Sequence, residues 1–190
     1  MAEQTLKNHF LIAMPSLQDP NFQKTVVYVV AHSVKDGATG IVINRETGLE
    51  LSEVMRKAGI KQASGVEISD PVYIGGPVQT ERGFVIHEPA EHYLMSECVG
   101  EGVFFTQSRD ALVQIGAGTG PAKRLFCLGY AGWLPGQLEG ELARNDWLTV
   151  EADPAVIFDV PAAQRYEAAL KLIGLDPEML RFAEGSAGHA

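Results

Sequence analysis

Residues 25–32, TVVYVVAH, form an unbroken run of β-branched and aromatic side chains between Asp19-Pro20-Asn21 and Asp36-Gly37. A continuous apolar run of this length between turn residues predicts a buried strand. GIVINR at 40–45 follows a Gly-containing turn, so the two segments are expected to pair as a hairpin. The period then changes. Leu51, Val54, Met55 and Ala58 fall at i, i+3, i+4 and i+7, one apolar face of a helix over 51–58, with Ser52 as its expected cap and Gly59 as its stop. Residues 72–76 and 83–87 read as strands around a Gly-Gly-Pro turn, and 103–106 as another. Ser108 is expected to cap a helix over 109–116, with Asp110 in its first turn. A strand over 125–130 precedes a helix from Pro135 through Leu142, whose face is Leu134, Leu138 and Leu142. A late strand over 147–150, a helix over 163–173 stopped by Gly174, and a short helix over 177–182 complete the chain. Strands come in clusters between helices rather than alternating with them, which favours a mixed α+β sheet over a doubly wound one. The domain expectation is one unit over 1–182, with a frayed tail over 183–190.

Composition narrows this picture. A chain of 190 residues suits one domain, and 20 Gly with 10 Pro imply many tight turns. The net charge of −9 repels phosphate backbones, so direct nucleic-acid binding is not expected; Arg56, Lys57 and Lys61 form the densest basic spot. The N-terminal apolar run is too short for a signal peptide, and no stretch reaches the ~18 apolar residues of a membrane helix. The expected compartment is the cytoplasm, with Cys98 and Cys127 as reduced, plainly buried residues and a disulfide switch as the alternative. No cofactor and no metal is expected, because the histidine and cysteine spacings match no zinc pattern.

Candidate chemistry lies in a few blocks. In Pro135-Gly-Gln-Leu-Glu-Gly-Glu-Leu-Ala-Arg-Asn145, a helix beginning at Pro135 places Gln137, Glu139 and Glu141 in its first two turns. Carboxylates there complement the helix dipole. Alternatively Glu139 or Glu141 is an acid–base group or cation ligand, needing a second carboxylate such as Asp146 nearby. Tyr130 and Trp133 flank small residues, and read either as core rings at a bend or as the walls of a groove for a ligand or partner. Gly75 and Gly76, followed by Arg82, read as a plain turn with an ion-paired arginine, or as an anion cradle that Pro77 weakens by removing a donor. Asn44 and Arg45 close a strand, either as a solvated turn or as neighbours of Arg82 and His87. His9, His32 and His87 lie in or beside apolar strands and are expected to be structural. Gly116-Ala-Gly-Thr-Gly-Pro121 is not a dinucleotide fingerprint, since Pro121 replaces its third glycine and a strand follows.

Several of these blocks resemble the AlgH/YqgE family of bacterial proteins. The matching segments are His9-Phe-Leu-Ile-Ala-Met-Pro-Ser-Leu-Gln-Asp-Pro-Asn-Phe22, Val72-Tyr-Ile-Gly-Gly-Pro-Val78, Arg82-Gly-Phe-Val-Ile-His87 and Leu128-Gly-Tyr-Ala-Gly-Trp133. They continue into Pro135-Gly-Gln-Leu-Glu139, Glu141, Asn145 and Trp147, so the likeness spans about residues 6 to 182. The resemblance implies a single α+β domain with a mixed, mostly antiparallel, partly barrel-like sheet flanked by helices. It assigns no reaction; some members carry a transcriptional-regulator label. Three functions are therefore weighed. The first is a non-enzymatic binding or regulatory protein for a protein partner or small ligand. The second is an enzyme using Glu139 or Glu141 with His87 around Arg82. The third is a regulator, not through direct DNA contact.

Overall fold

The computed structural model describes residues 4–180. In chain order its strands and helices are β1 (His9–Ala13), β2 (Val26–Ser33), β3 (Gly37–Val42), β4 (Glu46–Glu50), α1 (Leu51–Lys57), β5 (Pro71–Ile74) and β6 (Val78–His87). There follow β7 (Ser96–Gly100), β8 (Val103–Thr106), α2 (Asp110–Gly116), β9 (Arg124–Trp133), α3 (Gln137–Ala143), β10 (Trp147–Glu151), α4 (Pro154–Phe158) and α5 (Arg165–Leu172). A 3₁₀ turn, Ala162–Gln164, leads into α5. The strands make one curled half-barrel in the order β10-β1-β2-β3-β9-β6-β8-β7, with the β4–β5 pair joined to β9 through β5. Among the described strands every pairing is antiparallel except β5 with β9.

The organising strand is β9. Leu125, Cys127 and Tyr130 face the concave core, which α4 and α5 fill with Val156, Ile157, Ala169 and Leu170. Phe126 and Leu128 face outward under α1 and α2. Ala131 and Trp133 face outward under α3. Odd residues point inward before Gly129 and even ones after it, so that glycine resets the two-residue alternation. Its φ of +77° favours glycine, and an added Cβ would lie 2.5 Å from the Gly76 carbonyl oxygen.

The anticipated hairpin is β2–β3, and its register passes through an irregularity between Val29 and Ala31. Four elements have no counterpart in the sequence reading: β1, β4, β7 and α4. The β1 run lies in the sheet between β2 and β10. Helix starts also differ. Leu51 itself begins α1 without a side-chain cap, because its backbone N–H donates to the Asp70 carbonyl at 2.8 Å, making a Ser52 cap unnecessary. Ser108 instead ties the loop before α2, bonding the Asp110 carboxylate and accepting from the Met95 N–H at 3.0 Å. Gly136, at φ +82°, holds α3 off until Gln137, which leaves Leu134 outside the helix and 74% exposed. Cys127 is buried as expected, whereas Cys98 is exposed because it lies on the edge strand β7. The short helix expected over 177–182 is seen through residue 180; its last two residues and the expected tail over 183–190 lie outside the described residues.

Candidate functional site

The concave face is filled at one end and open at the other. At the filled end, buried Arg165 of α5 donates to the carbonyls of Ile43 and Val160, and its guanidinium lies 5.0 Å from the centroid of the Tyr73 ring. Burial pushes the Tyr73 phenol up, and the arginine partly opposes that. The register of β2 and β3 puts Ala31 and Thr39 at the opposite end of the hairpin from Ile43. There a cavity of about 310 Å³ opens.

Phe84 and Phe105 form its floor, almost wholly buried at 3% and 4% exposed and stacked with centroids 5.3 Å apart and planes 19° from parallel. Tyr130 meets Phe84 edge-on at 6.0 Å and forms a wall. Arg82 lies over the Phe84 ring at 5.3 Å. Its guanidinium donates to Gln107 Oε1 at 2.9 Å and Gln79 Oε1 at 3.3 Å. Two neutral amides thus orient the cation without neutralising it, where an ion pair is the plain expectation for Arg82. Glu97 of β7 sits directly opposite Phe105 in the register and faces the same cavity. Among the described residues neither Arg82 nor Glu97 makes an ion pair. The arrangement can hold an anionic group on Arg82 while a small apolar body meets the edges of the floor and Tyr130.

The other candidates fall elsewhere. Trp133 is buried on the outer face, with Phe22 at 6.0 Å and Trp147 at 6.2 Å. Asn44 and Arg45 fasten the loop that delivers Phe22. The Asn44 carboxamide bonds the Val26 N–H at 3.0 Å and the Lys24 carbonyl at 2.9 Å. The Arg45 guanidinium donates to the carbonyls of Pro20, Asn21 and Gln23 at 2.7–2.9 Å. Gly75 and Gly76 pack against the β9 backbone, where an added Cβ would lie 2.3 Å from the Gly129 oxygen or 2.1 Å from the Tyr130 carbonyl carbon. The Gly75 N–H is spent on Leu128 O, so it does not point into an anion cradle. Gln137 accepts from the Leu134 N–H at 3.0 Å, and Asn145 turns the chain with φ +60°.

Glu139 and His87 are not brought together. Glu139 accepts from His32 Nε2 at 2.8 Å, while His32 Nδ1 accepts the Leu6 N–H at 2.9 Å, which makes Nε2 the protonated nitrogen of the neutral ring. That bond holds the Glu139 carboxyl below its usual range. His87 is buried; its Nδ1–H donates to Glu88 O and its Nε2 is hydrogen-bonded with the Thr106 hydroxyl, both at 2.7 Å. Burial lowers its pKa. Glu141 accepts from Trp147 Nε1 at 3.4 Å, and its second oxygen is buried without a hydrogen-bond partner among the described residues. Among those residues no cluster of three His, Cys, Asp or Glu side chains is placed to hold a metal ion, and no helix is long and apolar enough to cross a membrane.

Of the sequence candidates, then, Arg82 and Tyr130 share a cavity. Thr39, Glu97 and Gln107 were not anticipated there. The available signal was alternation in 96–100, which places Glu97 and Val99 on one face once that segment is read as a strand. Two further cavities, of about 280 and 630 Å³, share Glu167 and Pro177 and run up to residues 178–180. An apolar groove of about 260 Å³ lies on the other side of β6, between α1 and α2.

These features define a class of protein: an α+β half-barrel plugged at one end by its C-terminal helices and open to a small cavity at the other. The chain belongs to the AlgH-like family, whose model matches residues 10–178. UPF0301 proteins of Burkholderia cenocepacia and Burkholderia ambifaria are each 51% identical over 187 residues, covering 97% of this chain and 95% of theirs. The solution structure of the AlgH protein from Pseudomonas aeruginosa has a TM-score of 0.78 at 45% identity, covering 95% of both chains. A crystal structure from Corynebacterium diphtheriae shares the fold, with a TM-score of 0.69 at 17% identity over 90% of this chain and 88% of that one.

Proposed function

We propose that this chain is a non-enzymatic, cytoplasmic binding or regulatory protein whose ligand occupies the open end of the half-barrel, with an anionic group on Arg82 and an apolar body against Phe84 and Phe105. The observation that supports the reading most is the Arg82 guanidinium, oriented by Gln79 and Gln107 and stacked on Phe84 yet free of any carboxylate among the described residues. A guanidinium held this way is pre-organised for a carboxylate or phosphate. Binding needs no nucleophile or proton shuttle, and the pairing of Glu139 with His32 leaves no assembled set with His87.

The test is a ¹H–¹⁵N NMR titration of the full chain with 3-phenylpropanoate. Saturable shifts are expected at Thr39, Arg82, Gln107 and Tyr130, and Arg82→Ala should abolish them while leaving the remaining spectrum in place. Shifts scattered over the surface, or unaffected by Arg82→Ala, would rule the cavity out as the binding site.

A further inference from the structure

Resting on that reading, we infer that the ligand is a small zwitterion with an apolar body, of the amino-acid type, its carboxylate on Arg82 and its ammonium on Glu97. The half-barrel carries two opposite charges on one cavity. Arg82 stands over Phe84, Glu97 stands opposite Phe105, and those two rings are stacked at 5.3 Å. The two groups do not pair with each other, and neither has another ionic partner among the described residues.

A purely anionic ligand leaves Glu97 repelling it across the same space, and a purely cationic one leaves Arg82 doing so. A ligand bearing both charges meets both walls with the complementary sign, which is how charge arrangement selects a partner. The remaining polar groups suit this occupant. The Thr39 and Tyr130 hydroxyls donate or accept, and Gln107 is already committed to Arg82. The almost wholly buried Phe84 and Phe105 floor, with Tyr130 beside it, leaves room for a small apolar body against their edges.

The experiment compares L-phenylalanine, 3-phenylpropanoate and 2-phenylethylammonium by NMR titration of the full chain. Phenylalanine is expected to bind about fivefold or more tightly than either singly charged analogue, the scale of one partly exposed ion pair. Glu97→Gln should reduce phenylalanine to the affinity of phenylpropanoate without weakening phenylpropanoate. Glu97→Lys should turn the preference toward phenylsuccinate, which carries a second carboxylate. Glu97 is exposed on an edge strand, so both variants should retain the wild-type spectrum outside the cavity. Equal affinities for phenylalanine and phenylpropanoate, with no effect of Glu97→Gln, would overturn the zwitterion and leave the Arg82 anion site standing. If no probe shifts the cavity resonances, both readings fall together.

Discussion

Two single residues bear on stability through charge. His87 is held neutral in the core by burial, so its pKa is lower folded than unfolded. The unfolded chain then binds more protons as pH falls below the ordinary histidine value of 6.5. Stability from this group is complete above that pH and declines below it. The wild-type melting temperature is therefore expected to fall between about pH 6.5 and 5, with a shallower decline in His87→Gln, followed by calorimetry over that range. A slope unchanged by the substitution would show that the ring is not the group responsible. Glu141 poses the converse problem, a carboxylate oxygen buried beside Trp147 without a hydrogen-bond partner among the described residues. Glu141→Gln keeps an acceptor for the indole and removes the charge, so it should raise the melting temperature by about 2–4 °C, equivalent to ~1 kcal/mol in a domain this size. A drop would mean that the charge itself is stabilised by its surroundings.

Among the elements, the loop over 19–24 depends on the polar pair between β3 and β4. Arg45 spans three carbonyls and Asn44 grips two backbone groups, which together hold Phe22 on the tryptophans. Arg45→Ala should cost about 1–3 kcal/mol, since it removes charge-assisted bonds to carbonyls. Amide hydrogen exchange should quicken in that loop first, and protection unchanged there would refute its role as a fastener. Gly129→Ala should be far more damaging than a surface substitution: it combines a left-handed backbone with a collision against Gly76. Loss of the folded NMR spectrum, or a melting temperature lower than that of Arg45→Ala, is the expected result. Other elements show what could be read in advance. The β2–β3 hairpin was visible because both strands are continuous apolar runs. The β7 strand was not, since only Val99 of its five residues is buried, and Glu97 and Cys98 read like a loop. Helix α3 was placed two residues early because Pro135 suits a helix start, while the left-handed Gly136 is a property of the turn rather than of any periodicity. The cavity was half visible: Arg82 and Tyr130 drew notice as residue types, but their meeting with Glu97 and Gln107 depends on how far the sheet curls, and no spacing along the chain encodes that curvature.

The molecule as a whole is a sheet curled into a half-barrel. Among the described strands its edge strand β7 pairs with β8 alone, and across from it Asn8 receives the Tyr28 hydroxyl at 2.7 Å. An added Cβ on Gly100 would lie 2.2–2.4 Å from the Asn8 carboxamide. The β7 edge therefore meets the start of β1, an interior strand, through side chain against glycine, with no ladder of backbone bonds between the two among the described strands. Gly100→Ala should push them apart and be read as faster hydrogen exchange along 96–100 than along β6; equal protection would show that the margin is held by something other than this fit. The cavity spans the same trough, with Val30 and Ala31 of β2 on one bank and Glu97 of β7 on the other. A molecule lodged there would act as a clasp. It would convert an open-sided trough into a hoop, and because linkage is reciprocal, whatever loosens the join would also release the guest.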